Sequence, residues 1–149
     1  MVKKIIYLNT DGGSRGNPGP AGCGAVVFDA QGKVFKKALK FLGIATNNEA
    51  EYQAVILGLE TIKKLYGTDK LKELEIIVRL DSELVCKQIN GEYQMKEEKL
   101  FPYFIKIWNW RVKETSSITF KHIPREQNGI ADSLANEAMD GEKIQGNLL

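Results

Sequence analysis

The fold follows from residues 46–66, which read TNNEAEYQAVILGLETIKKLY. Apolar side chains recur at helical spacing from Val55 to Tyr66 and would lie on one face of a helix. Thr46 and Glu49 form a capping box, a pattern with which helices begin. We therefore predict a long amphipathic helix here, and the segments on both sides of it decide which sheet it covers.

Three strand-like segments precede this helix. They are Lys3–Thr10, Cys23–Asp29 and Lys33–Leu42, separated by an irregular loop rich in Gly and Pro over 11–22 and by a short turn at 30–32. We expect these strands to form an antiparallel meander, because short connections join neighbouring antiparallel strands.

Strands and helices alternate after the helix. Leu74–Leu80 is almost continuously apolar, as in a strand covered on both faces. Beyond it we predict helices over 82–89, 100–112 and 128–139 and a strand over 117–123. The order β-β-β-α-β-α-α-β-α predicts an α/β fold on one five-stranded mixed sheet, three antiparallel strands followed by two parallel ones, flanked by helices.

The composition is that of one globular domain. The chain has 149 residues, 43% hydrophobic and 27% charged, with a net charge of +2. This balance argues against a protein that coats nucleic acid without specificity, so any contact with nucleic acid would be local. No apolar run reaches the roughly 18 residues of a membrane span. We expect a single domain over 1–140 and a flexible tail over 141–149.

The start of the chain and its cysteines favour a cytoplasmic protein. Residues 1–5 lead directly into the first strand and lack the features of a signal peptide. Cys23 and Cys86 form neither a CxxC pair nor a zinc site, and we expect both to be reduced thiols.

Four acidic residues are predicted to converge at one edge of the sheet. Asp11 directly follows the first strand and Asp81 the fourth, and the crossover helix makes these two strands parallel neighbours whose carboxyl ends meet. The helical period places Glu51 on the face toward the sheet and Glu49 on the solvated face. Asp132 lies near the start of the last helix, where the helix dipole tolerates a carboxylate.

Converging carboxylates repel one another unless cations neutralise them. Two divalent cations would balance four acids and form the clamp used for in-line displacement at phosphorus. Because every ligand is an oxygen, Mg²⁺ is favoured and Mn²⁺ could substitute. Taken singly, each Asp is more often a turn-former or a cap, and a lone His122 is more often an ordinary partly exposed residue. Their consistent placement favours a site.

Four blocks, in order, resemble the motifs of type 1 ribonuclease H. They are residues 10–20 (TDGGSRGNPGP), 46–51 (TNNEAE), 81–85 (DSELV) and 122–135 (HIPREQNGIADSLA). The resemblance covers residues 3–139. It implies the ribonuclease H-like fold and an endonuclease that hydrolyses the RNA strand of RNA–DNA hybrids, leaving 5′-phosphate and 3′-hydroxyl ends. It also implies two Mg²⁺ ions held by the four acids.

Further roles are implied only by this resemblance. His122 is similar to the mobile histidine of the family, which assists proton transfer or product release. Thr46 would hold a DNA phosphate. The residues expected along the RNA strand are Gly12, Asn17, Asn48 and Glu83.

The chain also departs from the family pattern. Glu83 stands where the family often has Gln, which would weaken contact with RNA. The segment Gly91–Ser116 holds five basic and four acidic residues, so no basic protrusion is evident. Phosphate contacts would then depend on Arg15 and a few other cations, and weak binding of the hybrid is expected.

Two other functions remain open. One is another nuclease of the same superfold, such as a junction resolvase or an exonuclease, which the pair Asn47 and Asn48 argues against. The other is a non-catalytic nucleic-acid-binding module, which the four intact acids argue against. The expected partner is the hybrid duplex. We expect no membrane contact, no obligate protein partner and a monomer.

Overall fold

The computed structural model describes residues 3–148, with side chains described through residue 141. In chain order its elements are β1 (Lys4–Ser14), β2 (Gly19–Phe28), β3 (Val34–Ala45), α1 (Asn47–Tyr66), α2 (Thr68–Leu71), β4 (Leu74–Leu80), α3 (Glu83–Ile89), α4 (Phe101–Asn109), β5 (Ile118–His122) and α5 (Gly129–Leu148). Short 3₁₀ turns lie at Glu98–Leu100 and Arg125–Gln127, and a π-helical turn, Trp110–Glu114, continues α4.

The five strands form one mixed sheet in the order β3-β2-β1-β4-β5. The strands β1, β2 and β3 pair antiparallel, whereas β4 runs parallel to both β1 and β5. This confirms the predicted α/β class and the division into three antiparallel and two parallel strands. Within the described residues, no helix is long and apolar enough to cross a membrane.

The two faces of the sheet are covered by different helices. On one face, α1 packs its buried side over β1, with Tyr52 and Leu59 in the same core cluster as Ile6 and Val78. On the other face, α5 packs on the antiparallel strands, where Leu134 belongs to a second cluster. Packing on both sides of the sheet therefore fixes where α1 and α5 begin, beside the ends of the strands.

The predicted irregular loop over 11–22 is wrong. β1 continues to Ser14 and β2 begins at Gly19, so only residues 15–18 form the turn. The glycines serve close helix packing, since a Cβ at Gly12 would lie 2.6 Å from the backbone N of Glu51. A Cβ at Gly22 would lie 2.9 Å from the backbone oxygen of Ala135 in α5.

The last helix also differs from its prediction. We expected it to end near Met139, with Gly141 just beyond, but α5 continues to Leu148. Gly141 does not adopt the left-handed conformation that ends a helix, so it is an interior glycine of α5. The predicted flexible tail over 141–149 is thus helical in its backbone to Leu148. Its side chains beyond 141, and Leu149 altogether, lie outside the described residues.

Candidate active site

Three acidic side chains meet where the parallel pairing of β1 with β4 ends and α1 begins. Thr10 pairs with Leu80 in the parallel register, so the residues that follow, Asp11 and Asp81, emerge side by side. The first turns of α1, which pass close to Gly12, place Glu51 next to these two aspartates. One carboxylate oxygen from each of the three acids lies within 4.8 Å of the other two.

Burial makes this group of acids electrostatically unfavourable on its own. Asp11 is 8% exposed and Glu51 is 7% exposed. The pKa of Asp11 is raised from its ordinary 3.8 to about 7, mainly by burial and also by the carboxylates of Asp81 and Asp132, whereas the hydrogen bond with Glu51 lowers it. Burial, and then the charge of Asp11, raise the pKa of Glu51 well above its usual range.

These features fit a divalent cation. The Oε2 atom of Glu51 is buried with no hydrogen-bond partner among the described residues. A buried carboxylate oxygen without a donor is costly unless a proton or a cation satisfies it. The ligands on offer are all oxygens, as Mg²⁺ and Mn²⁺ prefer.

The fourth predicted acid, Asp132, lies at the edge of this group. It lines the same cleft of about 490 Å³, which also contains Asp11, Glu51 and Asp81. Its carboxylate is 4.0 Å from a guanidinium nitrogen of Arg125, a mostly exposed side chain. Asp132 also contacts Asp11, whose pKa it raises, although it does not belong to the group in which all carboxylate oxygens lie within 4.8 Å of one another.

His122 lies beside Asp81 on the exposed end of β5. Its Nε2 is 3.2 Å from the backbone oxygen of Asp81. A carbonyl oxygen can only accept, so Nε2 is the donor in this contact and Nδ1 of the neutral ring remains an acceptor. The contact holds the imidazole near the acids while leaving it in solvent.

The turn between β1 and β2 is tied to the start of α1. The Oδ1 atom of Asn17 accepts a hydrogen bond from the backbone N–H of Asn47 at 3.0 Å. The Oδ1 atom of Asn47 in turn accepts one from the backbone N–H of Ser14 at 2.9 Å. Thr46 caps α1, since its hydroxyl oxygen accepts from the N–H of Glu49 at 3.2 Å. The predicted N-cap is thereby confirmed.

The remaining predicted binding residues fall into two groups. Gly12, Asn48 and Arg15 line the cleft, and Arg15 also forms an ion pair with Asp140 of α5. Glu83 does not line the cleft, because its carboxylate pairs with Lys87 at 2.8 Å on the exposed side of α3.

Sequence reasoning assigned no role to Asn128, which the structure places beside Asp81, buried and outside the lining of the cleft. Its side chain is almost fully buried, and Nδ2 donates to the backbone oxygen of Thr10 at 2.9 Å. The same nitrogen lies 3.4 Å from Oδ2 of Asp81. Asn128 therefore joins the start of α5 to both strands that carry the aspartates. Its position at the start of the helix predicted over 128–139 is the signal that the sequence offered.

Comparison with known proteins gives a consistent family assignment. A family model described as "Reverse transcriptase-like" matches residues 9–138. The chain is 40% identical over 136 residues to the "Bifunctional protein Rv2228c" of Mycobacterium tuberculosis, covering 91% of this chain and 35% of that protein. It is 38% identical to the "Ribonuclease HI" of Halobacterium salinarum, covering 91% of this chain and 64% of that one. The chain thus spans about a third of the length of the first of these curated relatives and under two thirds of the second.

A solved structure matches over nearly its whole length. LC11-RNase H1, crystallised in complex with an RNA/DNA hybrid, superposes with a TM-score of 0.87 at 44% identity. The match covers 92% of this chain and 98% of that one.

Proposed function

Because this chain belongs to the type 1 ribonuclease H family, we propose that it cleaves the RNA strand of RNA–DNA hybrids internally, leaving 5′-phosphate and 3′-hydroxyl ends. The observation that carries the proposal is the close group of Asp11, Glu51 and Asp81, whose carboxylate oxygens lie within 4.8 Å of one another in an open cleft. The complex of LC11-RNase H1 with an RNA/DNA hybrid supports the choice of substrate.

The proposed cofactor is Mg²⁺, two ions for each site, with Mn²⁺ able to substitute. Asp11, Glu51, Asp81 and Asp132 would hold the ions. When bound, the ions supply charge neutralisation, an activated water for in-line attack at phosphorus and stabilisation of the leaving 3′ oxygen. The unpartnered Oε2 of Glu51 supports this assignment.

Two side chains of the protein act beside the ions: one transfers protons and the other positions an acid. We assign proton transfer to His122, because its exposed ring lies beside Asp81 with Nδ1 available as an acceptor. Asn128 positions Asp81 through its Nδ2 contact, and the same amide anchors the end of β1. Both residues contact Asp81 and hold it in place as the substrate enters.

The hybrid would bind along the rim of the cleft. We propose that Gly12, Asn17 and Asn48 contact the RNA strand and that Thr46 contacts the DNA strand. Glu83 is the weakest of the predicted contacts, because Lys87 already pairs with it. Contacts with 2′-hydroxyl groups along this rim would distinguish RNA from DNA.

We propose that the protein binds the phosphates of the hybrid weakly. Arg15 lines the cleft, but its guanidinium must exchange its ion pair with Asp140 for a phosphate. In the near-neutral segment Gly91–Ser116, Arg111 already donates to the backbone oxygen of Ile89. Arg125, whose side chain is 82% exposed, also lines the cleft. With only these few cations at the site to release counterions, the affinity should depend only weakly on salt. We also propose a cytoplasmic location, consistent with the free, buried thiols of Cys23 and Cys86.

The decisive experiment presents labelled RNA–DNA, RNA–RNA and DNA–DNA duplexes and a four-way DNA junction, with Mg²⁺ and with chelator. We expect cleavage of the RNA strand of the hybrid alone, and only with the cation. Asp81→Asn should abolish it, whereas Asp69→Asn, which removes an exposed charge on α2, should not. Cleavage of the junction or of DNA would replace the proposal by another nuclease activity. Binding of the hybrid without cleavage would indicate a non-catalytic module.

A further inference from the structure

Helix α4 and the π-helical turn that continues it carry an exposed apolar face. We call this face the α4 stripe. It consists of Phe101, Ile105, Trp108 and Val112, which are 40%, 55%, 52% and 66% exposed. Their spacing of four, three and four residues places them on one side of the helix. The opposite side is used by the core, since Ile107 and Trp110 are buried in the main cluster.

The α4 stripe has the size of a functional surface patch. Four such side chains expose on the order of 400 Å² of mostly apolar area, which is the scale of the largest apolar patch on a typical monomer, and such patches are often functional. None of the four lines the cleft of the acids. The stripe is therefore a candidate docking surface separate from the proposed hydrolysis.

We propose that the α4 stripe binds the α4 stripe of a second copy of this chain, with the two helices antiparallel about a two-fold axis. The spacing of the stripe is self-complementary. Phe101 and Val112 share a midpoint between residues 106 and 107, and Ile105 and Trp108 share the same midpoint. An axis through that point places each large side chain opposite a smaller one of the other copy, as an isologous interface requires.

The charges beside the stripe complement each other in the same arrangement. Glu98 lies in the 3₁₀ turn that precedes α4 and Lys113 in the π-helical turn that follows it, so the two charges flank opposite ends of the stripe. Both are exposed, and neither forms an ion pair with another described residue. The antiparallel pairing brings each copy's Glu98 toward the other copy's Lys113, twice by symmetry.

The charges beside the stripe are mixed. Glu97 and Glu98 lie at its N-terminal end between Lys96 and Lys99, and Lys106, Arg111 and Lys113 lie nearer its C-terminal end with Glu114. An amphipathic helix that binds an anionic membrane carries cations along its polar edges, whereas the mixed charges here, with Glu98 and Lys113 at opposite ends, match a second copy in the antiparallel arrangement. The stripe supplies about half of the roughly 800 Å² that each partner buries in a standard interface, so the dimer should be weak and concentration-dependent.

The experiment is sedimentation velocity on the whole chain from low micromolar to several hundred micromolar. The weight-average mass should rise with concentration from 16.7 kDa toward twice that value. Val112→Lys should weaken association at least tenfold. The matched control is Val34→Lys, which places the same substitution at an exposed valine of β3 and should have no effect.

A charge exchange tests the antiparallel arrangement itself. Glu98→Lys and Lys113→Glu should each weaken self-association, because each puts like charges together at both contacts. An equimolar mixture of the two variants should regain it, since every contact in the mixed dimer then joins opposite charges. A chain that stays monomeric throughout, an equal effect of Val34→Lys, or a mixture no stronger than its components would overturn the proposal. Binding to phosphatidylserine vesicles without self-association would also overturn it.

Discussion

Replacing Asp11 with Asn should stabilise the fold at alkaline pH when divalent cations are removed. Burial first, and then the neighbouring carboxylates, raise the pKa of Asp11 from 3.8 to about 7. Between these two values the folded chain binds more protons than the unfolded chain, so the free energy of unfolding falls as the pH rises through this window. Above pH 7 Asp11 is charged in the folded chain and lowers the free energy of unfolding by its full amount. The uncharged amide in Asp11→Asn causes no such loss.

The expected size follows from the pKa shift. A rise from 3.8 to about 7 corresponds to about 4 kcal/mol at most. Water entry and relaxation of the acids reduce this figure, so we expect Asp11→Asn to gain about 2 kcal/mol at pH 8. The gain should nearly vanish at pH 3, where Asp11 is mostly protonated in both states. Urea unfolding followed by circular dichroism in chelator, at both pH values, measures the difference.

The control for this test is Asp69→Asn, which removes the same charge from an exposed position and should leave the unfolding free energy nearly unchanged at either pH. Added Mg²⁺ should stabilise the unmodified chain more than Asp11→Asn, because ligand binding to the folded state adds to its stability. A loss of stability in Asp11→Asn at pH 8, or a gain that does not depend on pH, would refute repulsion among the acids as the origin of the effect.

Three further predictions concern turnover of the hybrid. Glu51→Gln should abolish cleavage, whereas Glu49→Gln, two residues earlier in α1 and outside the acid group, should retain it; the reverse order in a steady-state assay would show that the assignment of the two helix positions is wrong. His122→Ala should lose about 10²–10⁴-fold in kcat while keeping its dependence on the cation; complete loss in a folded variant would indicate a ligand role instead. Asn128→Ala removes a buried donor, so urea unfolding should show a loss of about 1–3 kcal/mol, and kcat should fall with little change in KM; an unchanged kcat would limit Asn128 to a structural role.

The elements around the site could be predicted because strong local rules define them. The helix α1 connects β3 to β4 across the sheet, and the prediction that β4 pairs parallel with β1 places Asp11 beside Asp81. The helical period then separates Glu51 from Glu49. The N-cap at Thr46 follows from its side-chain chemistry. These conclusions need only the spacing of residues along the chain.

Features that depend on contacts between distant elements could not be predicted. A glycine-rich run is typical of a loop. Here Gly12 lies in β1, and the residue is a glycine because α1 passes too close to leave room for a side chain. The role of Asn128 required knowing that α5 starts beside both aspartates. In α4 both faces are apolar, so the sequence could not show that Ile107 would be buried and Ile105 exposed.

Two helices pack directly on glycines, and this limits the substitutions that the chain can accept without losing activity. Glu51 is carried by the helix that rests on Gly12, and Asp132 by the helix that rests on Gly22. One added methyl group at either glycine would shift a helix, and with it an acid, without altering any polar group of the site. A collection of random variants selected for lost cleavage should therefore include folded proteins that retain all four acids and differ by a single Gly→Ala change in the hairpin.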